Sequence, residues 1–236
     1  MTAHEQPVVL FWDIDGTLLT TARAGVLALE AALEEVTGRR VDLDGFVASG
    51  LTEHEVAHAV FAIADTDCDD ALVDRFLRAY ERHLPDSLPL RRGHVLPGVR
   101  EILESLSGRD DVVNLLLTGN TPAGARAKLG HYGLLEFFSD GAFCVGPGPR
   151  AEIARRAVEL AEDRIGRHLD LERTFVIGDT PHDVEAGRAI GARTVVVAPN
   201  PAARESLAAH EPWALLDRLE PDGFLRLVGL DGRSEG

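Results

Sequence analysis

The apolar residues fall into short runs separated by amphipathic stretches. Val8-Val9-Leu10-Phe11-Trp12 is a continuous apolar run of strand length, the pattern of a strand buried on both faces. Val112–Leu117, Thr174–Ile177 and Thr194–Ala198 repeat it. Gly141–Val145 is a weaker version, and Trp213–Leu216 reads as a short edge strand. Helical spacing fills the gaps. Gly98–Leu106 puts Val99, Ile102, Leu103 and Leu106 on one face. A helix opens at Pro122, with Asn120 or Thr121 as cap, and runs to Gly133. Arg150–Asp163, Asp183–Ile190, Glu205–Ala209 and a last turn over Gly223–Val228 follow. Strands alternating with helices through short loops predict right-handed parallel crossovers. The expected fold class is α/β, with a doubly wound, Rossmann-like parallel sheet.

One region breaks the alternation. Residues 20–92 contain helical patterns and no strand. Ala22–Thr37 carries Val26, Leu29, Leu33 and Val36, and Gly38 suits a C-terminal cap. Glu53–Ala64 carries Val56, Val60 and Ile63. A third helix starts at Asp69 or Asp70 and runs through His83, with Leu72, Val73, Phe76, Leu77 and Tyr80 as its stripe. This predicts an all-α cap inserted after the first strand, over the carboxyl edge of the sheet. The division is 1–19 and 93–236 for the core and 20–92 for the cap. Linkers are expected near 18–21 and 85–97, the second marked by Pro85, Pro89 and Pro97.

Polar chemistry collects where the apolar runs stop. The first ends in Asp13-Ile14-Asp15-Gly16-Thr17, the second in Thr118-Gly119-Asn120, and a later one in Gly178-Asp179-Thr180-Pro181-His182-Asp183. Arg150 follows the stretch Gly146-Pro147-Gly148-Pro149. In open α/β sheets the carboxyl edge is where ligands bind. Two carboxylates there are costly without a cation or shifted pKa values. Read blandly, these are polar turns and helix caps.

Together these motifs resemble the haloacid dehalogenase superfamily, and within it phosphatases similar to phosphoglycolate phosphatase, over about residues 8–200. The resemblance implies that Asp13 is a nucleophile forming an aspartyl-phosphate, and that Asp15 is the acid/base. It implies a Mg2+ ion held by the Asp13 carboxylate, the Asp15 backbone carbonyl and Asp179, with Asp183 behind them or acting through a water. Thr118 would bind a phosphate oxygen by its hydroxyl, and Gly119 and Asn120 by their amides. The basic residue that neutralises nucleophile and phosphate would be Arg150 or, alternatively, Lys128. Dehalogenases of the superfamily lack the second aspartate, so Asp15 points to phosphoryl chemistry. The phosphonate-cleaving branch uses a cap lysine, and residues 20–92 contain none. A phosphomutase of the β-phosphoglucomutase type and a non-catalytic binding module remain as alternatives. The cap loop that selects substrate would be Ser49, Gly50, Leu51, Thr52 and Glu53. Relatives often carry Gly-Arg-Thr-Asp here. Leu51 stands where the arginine would meet a substrate carboxylate, which weighs against phosphoglycolate itself.

Composition narrows the partners. The 236 residues carry a net charge of −15, unsuited to nucleic acid or an anionic membrane surface. A small phosphorylated metabolite stays compatible, because local cations and a metal act at short range. Cys68 and Cys144 lie far apart without metal spacing, residues 1–7 are short and polar, and no apolar run approaches membrane-spanning length. The expectation is a cytoplasmic protein, monomer or homodimer, with a frayed tail at 231–236. A rival motif is His54-Glu55-Val56-Ala57-His58, which matches the zinc-protease pattern H-E-x-x-H. Its third ligand would have to be Glu81 or His83.

Overall fold

The computed structural model describes residues 6–231. Its centre is a six-stranded parallel sheet in the order β5-β4-β1-β6-β7-β8. The strands are β1 (Val8–Trp12), β4 (Val112–Leu117), β5 (Gly141–Ala142), β6 (Thr174–Gly178), β7 (Arg193–Val197) and β8 (Ala214–Leu216). The chain winds outward from β1 through β4 to β5, then returns to the other side of β1 with β6. The switch in winding direction therefore falls beside β1, where an open sheet parts to leave a binding crevice.

Alternate residues of β1 feed opposite faces. Val8, Leu10 and Trp12 join a cluster with α4 (Val99–Leu106), α5 (Pro122–His131) and α9 (Pro221–Leu227). Val9 and Phe11 pack toward α6 (Arg150–Ile165) and α7 (Pro181–Ile190). Trp12 is fully buried, and its indole N–H donates to Asn114 Oδ1 at 2.5 Å. The one polar residue inside β4 thus satisfies the one polar atom of the tryptophan. The remaining sheet-flanking helix is α8 (Pro201–Ala208), which starts four residues earlier than its sequence pattern suggests because Asn200 caps it.

Between β1 and β4 lies the all-α insertion: α1 (Ala24–Thr37), α2 (Glu53–Ile63) and α3 (Asp70–Ser87). The three helices enclose their own core, including Leu33, Phe61, Val73, Phe76 and Leu84. Gly38 ends α1 in the left-handed region, Asp69 caps α3, and Thr52 with Glu55 forms a capping box on α2. Ile63 departs from its expected inward position and is 49% exposed.

Pro85 does not mark the return linker. It lies inside α3, which runs on to Ser87 and into a 3-10 turn over Leu88–Leu90. A helix-interior proline costs about 3 kcal/mol. Leu84 and Leu88, both fully buried, offset that at about 1.5–3 kcal/mol each. The insertion enters and leaves through a two-stranded antiparallel ribbon, β2 (Leu19–Thr20) and β3 (His94–Val95), which no apolar run announced. The expected strand over 141–145 shrinks to two residues, although the Cys144 amide still donates to Asn120 O at 2.9 Å. The expected tail is described only at Asp231; 232–236 lie outside the described residues, as do 1–5. No helix among the described residues is long and apolar enough to cross a membrane.

Candidate functional site

Three strand ends deliver the polar groups to one place. The amide of Asp13 donates to Ile177 O at 2.9 Å, extending the β1–β6 ladder one residue beyond β1. The chain then turns tightly, with the amides of Thr17, Leu18 and Leu19 all donating to Ile14 O. Gly16 has φ +86°, and a Cβ there would stand 2.1 Å from Asp179 Oδ2. Only glycine lets this turn bring the β1 and β6 ends so close.

Arg150 and Lys128 both reach the site, each on a different aspartate. Arg150, buried at the start of α6, lies 2.8 Å from Asp13 Oδ1 and 2.6 Å from Asp183 Oδ1. Lys128, buried on α5, donates to Asp15 Oδ2 at 2.6 Å and to Asn120 Oδ1 at 2.5 Å. Burial opposes the charge on each cation, but the facing carboxylates outweigh it and hold both firmly protonated. The Asn120 side chain ties the cluster together, donating to Asp15 Oδ2 at 2.9 Å and to Thr118 Oγ1 at 2.8 Å. Thr118 Oγ1 therefore accepts, and its own proton is left to donate toward Asp13. The Asn120 amide also turns to Thr118 Oγ1, so this residue is an organiser beyond the amide donor the sequence suggested.

Negative charge is crowded. Asp13, Asp179 and Asp183 each offer a carboxylate oxygen, all within 4.8 Å of one another. Burial, then Asp13 and Asp183, push Asp179 up to about 8. Burial also raises Asp13 to about 6, against the opposing pull of Arg150. An all-oxygen set with excess negative charge suits a hard divalent cation. Within it the three acids differ. Asp183 Oδ2 accepts from the Thr180 hydroxyl at 2.7 Å, the Thr180 amide at 3.0 Å and the Asp179 amide at 3.2 Å, while Oδ1 takes Arg150. Asp183 is thus engaged by protein donors on both oxygens. Among the described residues Asp179 has a single weak donor, the Thr17 hydroxyl at 3.3 Å.

The helical insertion closes the other side of a cavity of about 310 Å³, whose lining includes Asp13, Asp15, Thr118, Gly119, Asn120, Lys128, Arg150 and Asp179. Ser49, Gly50, Leu51 and Glu53 line it too, while Thr52 is buried as the α2 cap. Gly119 lets this loop close down, because a Cβ there would meet Leu51 O at 2.7 Å. Glu53 anchors the loop. Its amide donates to Gly119 O at 2.8 Å, and its Oε2 accepts from the Thr121 amide at 2.7 Å. Burial raises the Glu53 carboxyl above its ordinary value, against the pull of Lys128. Neither this anchoring nor the Lys128–Asp15 pair followed from the sequence. One signal was available for the lysine: it is the only one in the chain.

The rival histidine motif dissolves into structure. The His54 and His58 rings lie 5.0 Å apart, but Glu55 accepts from the Thr52 amide at 2.8 Å in the capping box. Glu81 accepts from the Thr121 hydroxyl, and His83 pairs with Glu35. No third ligand joins the histidines among the described residues.

The chain is similar to known proteins over most of its length. It is 30% identical over 217 residues to the Dickeya dadantii protein named "Probable phosphatase IndB", covering 90% of both chains. It is 30% identical over 222 residues to a phosphoglycolate phosphatase of Rhodospirillum rubrum, covering 89% of this chain and 87% of that one. Its fold matches CbbY from Rhodobacter sphaeroides, solved in complex with phosphate, with a TM-score of 0.69, 18% identity, and coverage of 91% and 95%. The haloacid dehalogenase-like hydrolase family model matches residues 8–191, a span running from the first residue of β1 to the cap of α7 and holding every acidic and basic group of the site. The chain belongs to the haloacid dehalogenase-like hydrolases.

Proposed function

We propose that the protein is a Mg2+-dependent phosphatase acting on a small phosphomonoester through an aspartyl-phosphate. The observation that carries this reading is the division of two aspartates, two residues apart, between two cations: Asp13 with Arg150 and Asp15 with Lys128. Two like groups held in different environments can take different roles. The names of both curated relatives support the reaction class.

Asp13 is the nucleophile. Its oxygen forms a bond to phosphorus as the bond to the departing alkoxide breaks. Asp15 gives its proton to that alkoxide, then takes one from the water that displaces Asp13 from phosphorus. Lys128 and Asn120 both occupy Oδ2 of Asp15, which leaves Oδ1 to exchange the proton. Arg150 offsets charge on nucleophile and phosphate through the guanidinium it already sets against Asp13. The Thr118 hydroxyl and the Gly119 amide bind the other oxygens. Asp13, the Asp15 carbonyl and Asp179 would hold the Mg2+, with Asp183 orienting Arg150 and the 179–180 turn from behind. The ion supplies positive charge where phosphate and carboxylates crowd together. Residues 20–92 act as a cap on the core of 1–19 and 93–236, hinged at the β2–β3 ribbon, and exclude water when closed.

The test is phosphate release from a panel of small phosphomonoesters, with Mg2+ and with EDTA. Release that requires Mg2+ is the expected result. No release by folded protein under either condition would overturn the reading.

A further inference from the structure

The cavity has two ends of opposite character. The sheet end holds the aspartates, Arg150 and Lys128. The insertion end is walled mainly by Val26, Leu29, Phe46, Leu51 and Val56, with the hydroxyls of Tyr80 and Ser49 among its few neutral polar groups. Leu29, Val56 and Tyr80 are at most 5% exposed, so they form a fixed wall, not a solvated rim. The charged groups at that end do not offer a free cation. The Arg23 guanidinium donates to the main-chain oxygens of Leu43 and Phe46 at 3.1 Å and to that of Asp44. It is used in holding the 43–46 loop. Glu53 adds negative charge, and its Oε1 is buried with no partner among the described residues. Gly25, in the first turn of α1, keeps the chamber open: a Cβ there would meet only the Tyr80 hydroxyl, at 3.7 Å.

We infer that the substrate is the phosphate monoester of an uncharged, largely apolar alcohol, with its hydrocarbon group against the α1, α2 and 46–51 walls. The inference rests on the phosphatase reading and adds the class of alcohol. A carboxylate in this chamber would lose its hydration, face Glu53 and gain no free cation. A sugar would set several hydroxyls against Val26, Leu29 and Val56, more than the Tyr80 and Ser49 hydroxyls can serve.

The deciding experiment compares kcat/KM for benzyl phosphate, 2-phosphoglycolate and glucose 6-phosphate, all of which release an alkoxide. Benzyl phosphate is expected to lead by about tenfold or more, chiefly through a lower KM. Two variants probe the chamber. Gly25→Leu should lower the benzyl phosphate to ethyl phosphate ratio by about tenfold, by filling the space beside Tyr80. Leu51→Arg should shift preference toward 2-phosphoglycolate by a similar factor, about tenfold, by supplying the missing cation. Equal or reversed preference in the unaltered protein would overturn the inference and leave the phosphatase reading standing. Hydrolysis of none of the esters by folded, Mg2+-loaded protein would overturn both.

Discussion

Lys128 Nζ stands 2.6 Å from Asp15 Oδ2, the lysine side chain 8% exposed and the aspartate 40%. The pair joins a cation fixed in the α5 interior to a carboxylate open to the cavity. Replacing the lysine frees the carboxylate to swing and leaves Asn120 Oδ1 without its donor. Lys128→Met should lower kcat by about 10–100-fold and destabilise the fold by about 1–3 kcal/mol, discounted for the solvent that reaches Asp15. Lys128→Arg should not restore the rate, because a planar fork does not replace a compact ammonium between two fixed oxygens. Initial rates and urea unfolding check both.

Asp13→Asn should lower kcat by about a thousandfold or more. Stability should stay level or rise in metal-free protein, because burial already disfavours the ionised carboxylate. Steady-state assays beside thermal melts separate the effects. Wild-type turnover in this variant would sink the assignment of Asp13.

Asp179 links stability to pH. Its folded pKa of about 8 lies above the ordinary 3.8, so the folded chain binds more protons than the unfolded chain between those values. Without metal, this contribution to stability is present below about pH 4 and is lost as pH rises to about 8. A divalent cation binds the ionised form, so Mg2+ should raise Tm more at about pH 8 than at about pH 6, with proton release on binding. Melts in EDTA and in Mg2+, with titration calorimetry in buffers of different ionisation enthalpy, read this directly. Asp179→Asn should remove most of the pH dependence of the Mg2+ effect.

Glu53 ties the insertion to the start of α5. Glu53→Ala would leave the buried Thr121 amide without its acceptor, at a cost of about 1–3 kcal/mol. Glu53→Gln keeps an acceptor and removes a charge that burial disfavours, so its loss should be smaller. Chemical denaturation of the two variants distinguishes the roles.

The doubly wound sheet was legible because β1, β4, β6 and β7 are largely buried on both faces and so read as nearly continuous apolar runs, interrupted in β4 only by Asn114. Asp13, Thr118 and Asp179 were legible because each ends such a run. What escaped the sequence depends on distance in the chain. Lys128 and Arg150 compete as candidates along a line but serve separate aspartates in space. Glu53 resembles any acidic first-turn residue until its partner Thr121 comes into view. The β2–β3 ribbon has two residues per strand, too few for a period. Pro85 carries the usual mark of a helix end, and only the burial of Leu84 and Leu88 keeps the helix going.

The position of β1 also governs assembly. It is the first strand among the described residues, yet Val8 pairs with Val112 and Val9 with Thr174. A chain emerging from the ribosome presents its central strand long before either neighbour exists. The next segment to emerge, α1 to α3, supplies nearly all of its own core and closes short loops first. The inserted helices can therefore condense while Val8–Trp12 waits, and the catalytic edge exists only after β6 has been added.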